Sequence, residues 1–177
     1  MIQSLTRDEL LALLGAAQAH SRRNWLALLL AYTYGYRASE VVALTPANIR
    51  GEFLDVQRLK RSRRTVQRIL GNPEPLLDLK PALFEYVAKF TRNQRLFPFG
   101  RRWLWKLTQR YAKAAGVPVH KAHPHILKHT IALELVPTAG VHNTQIWLGH
   151  QSGASTLIYT EVSDEDAEKA VRAALGV

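Results

Sequence analysis

Apolar residues recur along this chain with two different periods. Leu10, Leu13, Leu14 and Ala17 repeat at three and four residues, the spacing of one helix face. Thr6 stands before them with Glu9 three positions on, so a capping box predicts a helix start at Thr6. A second helical stretch covers residues 23–34 and stops at Gly35, and a short third one covers 39–44, ended by Thr45-Pro46. The period then falls to two. Residues 52–57 and 65–70 read as strands flanking the polar turn Arg61-Ser62-Arg63, a small hairpin. Helical spacing returns after Gly71-Asn72-Pro73, at 80–91, 101–115 and 124–136, with Gly116 and Gly140 as stop signals. Shorter helical pieces are predicted at 143–148 and 154–159, and an acid-started helix at 164–175. There is no internal repeat, linker or composition break. The expectation is one domain over residues 1–177, mainly α with a small antiparallel β-sheet, in the α+β class.

Composition narrows the class. With 47% hydrophobic and 21% charged residues among 177, the chain can bury a core, and low-complexity disorder is excluded. It holds no cysteine, which excludes disulfides, thiolate nucleophiles and cysteine zinc sites, and fits the cytoplasm. The longest apolar run, residues 25–31, falls far short of the ~20 residues of a membrane span. The opening MIQSLTRDEL has no charged-then-apolar signal pattern.

Charge adds a partner. Lys and Arg number 24 against 14 Asp and Glu, a net charge of +10. Residues 56–73 carry six basic side chains and no acid, and residues 86–133 carry ten and again no acid. Phe90, Phe97, Trp103, Trp105 and Tyr111 are interleaved with them, whereas Glu161, Asp164, Glu165, Asp166 and Glu168 gather at the end. A solubilising surface usually intersperses both signs. A basic middle with aromatics is the footprint of a polyanion, so nucleic acid is the expected partner.

Four places concentrate reactive side chains. In Tyr34-Gly35-Tyr36-Arg37-Ala38-Ser39-Glu40, an arginine sits at a helix start with a glutamate one turn on. Either Arg37 and Glu40 form a surface pair of little worth, or Arg37 and backbone N–H groups face an anion. Lys60, in the hairpin turn with Arg61, Arg63 and Arg64, is the only lysine between Gly51 and Leu79. Lysine can give up a proton beside other cations, which arginine does not. In His123-Pro124-His125-Ile126-Leu127-Lys128-His129, helical spacing puts His125, Lys128 and His129 on one face. A zinc pair there lacks both the intervening carboxylate of the metalloprotease pattern and a third ligand, so no metal is expected. The fourth place is Trp147-Leu148-Gly149-His150 with Tyr159 nine residues beyond, which alone decides nothing.

Taken in order, the set resembles the catalytic domain of the tyrosine recombinases, the phage-integrase family. Residues 34–41 look like that family's first arginine box, with Arg37 binding phosphate and Glu40 as its buttress. Lys60 falls at the catalytic lysine, His125-Ile126-Leu127-Lys128 resembles the His-x-x-Arg box, Leu148-Gly149-His150 the third motif, and Tyr159 stands at the nucleophile's position. The resemblance spans essentially the whole chain, and its specificity lies in the ordered combination. One residue departs from the pattern: Lys128 stands where the family has its second arginine, a point charge in place of a planar fork.

The resemblance implies site-specific DNA cleavage and rejoining through a covalent 3′-phosphotyrosyl intermediate, with no cofactor and no metal. Tyr159 would be the nucleophile, Arg37, Lys128 and His150 would stabilise charge on the phosphate, Lys60 would protonate the leaving oxygen, and His125 would assist the tyrosine. Glu40 and His129 would support them. Arg58, Arg61, Arg63, Arg64, Arg101 and Arg102 are the expected DNA contacts. The implied partner is double-stranded DNA, bound by a homo-tetramer assembled from monomers, with accessory proteins and no membrane. The implied location is cytoplasmic and nucleoid-associated. The family's upstream core-binding domain is expected to be absent, and the helix at 164–175 to dock on a neighbouring subunit. The non-enzyme alternative is a DNA-binding protein of the same fold in which Lys128 has weakened or ended catalysis.

Overall fold

The structure, a computed structural model, describes residues 3–59 and 62–150. Helix α1 (Arg7–His20) starts as the sequence predicts: the Glu9 N–H donates to Thr6 Oγ1 at 3.2 Å, and the Thr6 N–H donates to the Glu9 carboxylate at 2.7 Å. Its buried positions are Leu10, Leu13, Leu14 and Ala17, the periodic set. Helix α2 (Arg22–Thr33) is capped by Ser21, whose hydroxyl accepts from the Asn24 N–H. Every residue from Asn24 to Tyr32 is buried, so the apolar run 25–31 is a helix covered on all faces. It packs against α1 and against four helices later in the chain.

Helix α3 (Ala38–Val41) is a single turn, shorter than the 39–44 expected, because a 3₁₀ turn at Pro46–Asn48 follows closely. Strands β1 (Ile49–Arg50), β2 (Phe53–Val56) and β3 (Thr65–Arg68) form one antiparallel sheet in that order. The register pairs Phe53 with Arg68 and Val56 with Thr65. Two residues are too few for periodicity to reveal β1. In β3 the alternation is present but inverted: Thr65 and Gln67 are buried, and Val66 is 60% exposed. The buried polar side is explained by Gln67, whose amide donates to the Trp147 carbonyl at 2.8 Å.

Helices α4 (Leu79–Val87) and α5 (Arg101–Ala114) follow, α5 ending just before Gly116 at φ +68°. The stretches expected at 124–136 and 143–148 are joined in α6 (Pro124–Trp147), which kinks at Gly140, φ +77° and ψ 163°, with Pro137 one turn earlier. The stop signal at Gly140 thus produces a bend rather than a loop. Trp147 secures the far end of α6 to the end of α2, donating from Nε1 to the Thr33 carbonyl at 2.8 Å and stacking on Tyr34. The helical pieces expected at 154–159 and 164–175 lie outside the described residues.

The junction after α2 is tight. Gly35 has φ +58°, and a Cβ there would come within 2.4 Å of the buried Leu148 Cδ2. A left-handed conformation costs a non-glycine residue about 1–2 kcal/mol before any clash. Gly35→Ala is therefore expected to lose about 1–3 kcal/mol in denaturant melts, strain and displacement of Leu148 together. An unchanged melt would show that this turn is not fixed by its glycine.

Candidate active site

Glu40 organises the site. Its side chain is 0% exposed and accepts four hydrogen bonds. Oε1 receives the Leu59 N–H at 2.9 Å and Arg37 Nη1 at 3.1 Å; Oε2 receives the Arg37 N–H at 2.8 Å and Arg58 Nε at 3.0 Å. Burial alone would push this carboxyl up, but Arg58, the two backbone donors and Arg37 outweigh it and hold it below its ordinary 4.5. The surface-pair reading of Arg37 and Glu40 is thereby corrected: the carboxylate is internal and shared.

Arg58 is the second correction. Its side chain is 0% exposed, and its guanidinium lies 4.5 Å over the Tyr36 ring. It donates to the Tyr34 and Gly35 carbonyls, at 3.4 and 2.9 Å, and to Glu40. These are carbonyls freed at the end of α2, where a cation is favourable. Arg58 is an internal brace with no surface left for DNA. Sequence reasoning missed this because a basic run gives no sign of which member turns inward.

Arg37 is aimed by this brace. Its side chain donates from Nη1 to Glu40, to the Leu59 carbonyl and to Ser62 Oγ, the last two at 3.0 Å. The β2–β3 connection is thus tied to Arg37 on both sides, at Leu59 and at Ser62. Lys60 and Arg61 themselves lie outside the described residues. Ser62 also pairs with His150 as an isolated antiparallel bridge, and the Arg63 N–H donates to the Gly149 carbonyl at 3.3 Å. Gly149 has φ +69° and faces Arg58 and Thr65 so closely that a Cβ would meet both at 3.2 Å. In this way Leu148-Gly149-His150 is set against the hairpin. Tyr159 lies outside the described residues.

Helix α6 supplies the third side. Lys128 is 7% exposed, and burial, then Arg58 and Arg37, lower its amine to about 7. His150 is also 7% exposed and is lowered to about 4, by burial first and then by Lys128, Arg37 and Arg58. His125 is exposed, with its pKa lowered by burial of its ring and by His123, Lys128 and Arg37. His129 is lowered by burial and then by the two other histidines and Lys128. At neutral pH His150 is therefore a neutral ring that can donate an N–H, and His125 a neutral ring that can accept a proton.

Beside this cluster lies a cavity of about 260 Å³ lined by Tyr36, Arg37, Arg101, Arg102, Trp105 and His125. Arg101, Arg102 and Trp105 stand exposed on the first turns of α5, and Arg63 and Arg64 are exposed on the hairpin. Arg64 is held by Asp55, which also pairs with Arg50. The structure thus joins Arg37, Glu40, His125, Lys128 and His150 in one cluster, with Arg101 and Arg102 on its rim. A phosphate oxygen would meet one fixed cation, Arg37, together with a titratable amine and imidazole N–H groups there. Among the described residues, no group of three or more His, Asp or Glu could hold a metal ion, and no helix is long and apolar enough to cross a membrane.

Comparison with known proteins identifies the family and the fold. The phage integrase family model matches residues 3–166. Among curated proteins, tyrosine recombinase XerD of Xanthomonas axonopodis pv. citri is 33% identical over 186 residues, covering 94% of this chain and 61% of that protein. Tyrosine recombinase XerA of Thermococcus kodakarensis is 30% identical over 180 residues, covering 95% and 61%. The chain spans less than two thirds of these relatives' length. Among solved structures, XerA recombinase matches with a TM-score of 0.73 at 24% identity, over 96% of this chain and 62% of that one. The catalytic core of lambda integrase matches at 0.68 and 22%, over 84% and 92%. The fold is that of the tyrosine recombinase catalytic domains.

Proposed function

The chain belongs to the phage integrase family, and from that premise we propose that it is the catalytic part of a site-specific DNA recombinase. The observation that carries the reading is the buried Glu40, which accepts three hydrogen bonds from Arg37 and Arg58 and a fourth from the Leu59 N–H, holding the two arginines beside Lys128 and His150. So many basic groups around one carboxylate suit a phosphodiester.

In this reading Tyr159 Oη attacks the scissile phosphorus and the bond to the 5′ oxygen breaks, leaving a 3′-phosphotyrosyl ester. His125 takes up the phenolic proton, and Lys60 gives one to the departing 5′ oxygen. Arg37, Lys128 and the His150 N–H stabilise the charge on the phosphoryl oxygens. Attack by a 5′-hydroxyl from another strand reverses the step and completes the exchange. The bond energy is kept in the ester, so the cycle needs no nucleotide cofactor.

The proposal extends to assembly. Relatives in this fold include a lambda integrase tetramer solved on a Holliday junction. Four copies on two duplexes, each with the segment after Thr160 packed on a neighbour, would place four such sites together. The nucleoid is the cell's store of the substrate. Truncation after Ser163 should then abolish synapsis and leave the monomer's melt in place. Residues 1–177 would act as one catalytic domain.

Binding and exchange are tested separately. Affinity for duplex DNA should fall steeply with salt, because each neutralised phosphate contributes about −0.9 to the slope of log K against log salt. A slope near zero contradicts the polyanion partner. On two duplexes carrying the cognate site, the protein should produce four-way junctions and exchanged strands. Nicking and resealing without them would mark a topoisomerase-like enzyme instead.

A further inference from the structure

Lys128 is a buried member of the cluster whose charge the surroundings do not support. Its Nζ is buried and makes no hydrogen bond to any described residue. An ammonium there would carry three donors with no acceptor among the described residues. Among the described residues, the groups facing it are Arg58 from the hairpin, Arg37 and Glu40 around α3, and His150 after α6. His125 and His129 face it from its own helix. Glu40 is the only carboxylate in that set, and its four acceptor positions are filled by Arg37, Arg58 and Leu59. Two arginines against one glutamate leave a net positive surrounding, so a further proton on Lys128 is opposed by desolvation and by like charge together.

A phosphate changes both conditions. It brings the missing acceptor oxygens and a negative charge, and an arginine at this position would be charged already. Resting on the reading of this site as a DNA phosphate site, we propose that Lys128 stands in the free enzyme as an uncharged amine and takes up one proton from solvent as the phosphate enters. Phosphate binding and the creation of the site's second α6-facing cation are then one coupled event. Below neutrality the amine is protonated beforehand, so binding takes up nothing. Above it, binding must draw the proton in, and affinity falls as pH rises. The slope approaches tenfold per pH unit for one proton.

The test measures binding of a duplex carrying the cognate site by calorimetry at about pH 8.5, where histidines are neutral, in buffers of different ionisation enthalpy. The expected result is uptake approaching one proton per site, with affinity dropping steeply from about pH 7.5 to 9. Lys128→Arg should bind with neither. If that variant fails to fold, lysine-selective isotope labelling of the wild-type protein reads the same quantity. One lysine should titrate near neutrality in the free protein and well above about pH 9 once the duplex is added. Tight binding with no uptake, equal uptake in Lys128→Arg, or a lysine resonance indifferent to DNA would each overturn the proposal while leaving the recombinase reading intact. Failure to bind DNA at any pH would instead remove the reading on which it rests.

Discussion

Glu40→Ala is expected to cost about 3–5 kcal/mol of stability, because it leaves the Arg58 guanidinium buried without its charge partner. It also frees Arg37 from its aim, so cleavage should fall by at least the ~10²–10³-fold that follows loss of one preorganised transition-state donor. The substitution is informative because four bonds converge on this one side chain, including the N–H of Leu59 at the entry to the β2–β3 connection. Glu40→Gln keeps the shape and removes the charge, and should fall between alanine and wild type. A pH dependence accompanies it. The folded-state pKa lies below the ordinary 4.5, so the stabilisation is fully present above that value and is lost as pH falls through the folded pKa. Acid melts of wild type and Glu40→Gln should converge in that window. Parallel acid melts would show that Glu40 does not carry the linkage.

The second large effect concerns proton donation. Lys60→Ala should slow cleavage of an ordinary phosphodiester by about 10²–10⁴-fold, the usual worth of a positioned general acid. A 5′-bridging phosphorothiolate leaves without a proton, so the same variant should cleave it at close to the wild-type rate. Arg37 anchors Leu59 and Ser62 on either side of residues 60–61. Arg37→Ala should therefore be slow on both substrates, since it removes phosphate contact as well. Equal defects of Lys60→Ala on both substrates would take Lys60 out of the acid role.

The periodic signals carried the helices well. The Leu10–Leu13–Leu14–Ala17 face and the Thr6–Glu9 box formed as read, because cap chemistry and one-sided burial are local properties. Gly140 was legible as an interruption, but its outcome was not. Whether a helix ends or bends depends on what receives its far half, and here Trp147 returns to Thr33 and Tyr34, more than a hundred residues back. The inversion of β3 is of the same kind: Gln67 faces inward because Trp147 offers a carbonyl there.

The site was legible as a list of residues and illegible as a hierarchy. Arg37, Glu40, His125, Lys128 and His150 could be picked out by type and order. Arg58 could not be told from its basic neighbours, since its inward turn depends on the end of α2, Tyr36 and Glu40 meeting in space. The state of Lys128 was equally hidden. A sequence shows a lysine in place of an arginine; only packing shows that Glu40 has no acceptor left for it.

The central claim is covalent chemistry by Tyr159, and trapping tests it most directly. A nicked suicide duplex carrying the cognate site, found by selection from random DNA, loses the short fragment that bears the new 5′-hydroxyl after cleavage and cannot be rejoined. Wild-type protein should accumulate a denaturation-resistant protein–DNA adduct joined through the 3′ phosphate, and peptide mapping should place it on Tyr159. Tyr159→Phe should bind the same duplex with nearly unchanged affinity and form none. An adduct that persists in Tyr159→Phe, or its absence from wild-type protein bound to the site, would contradict the account.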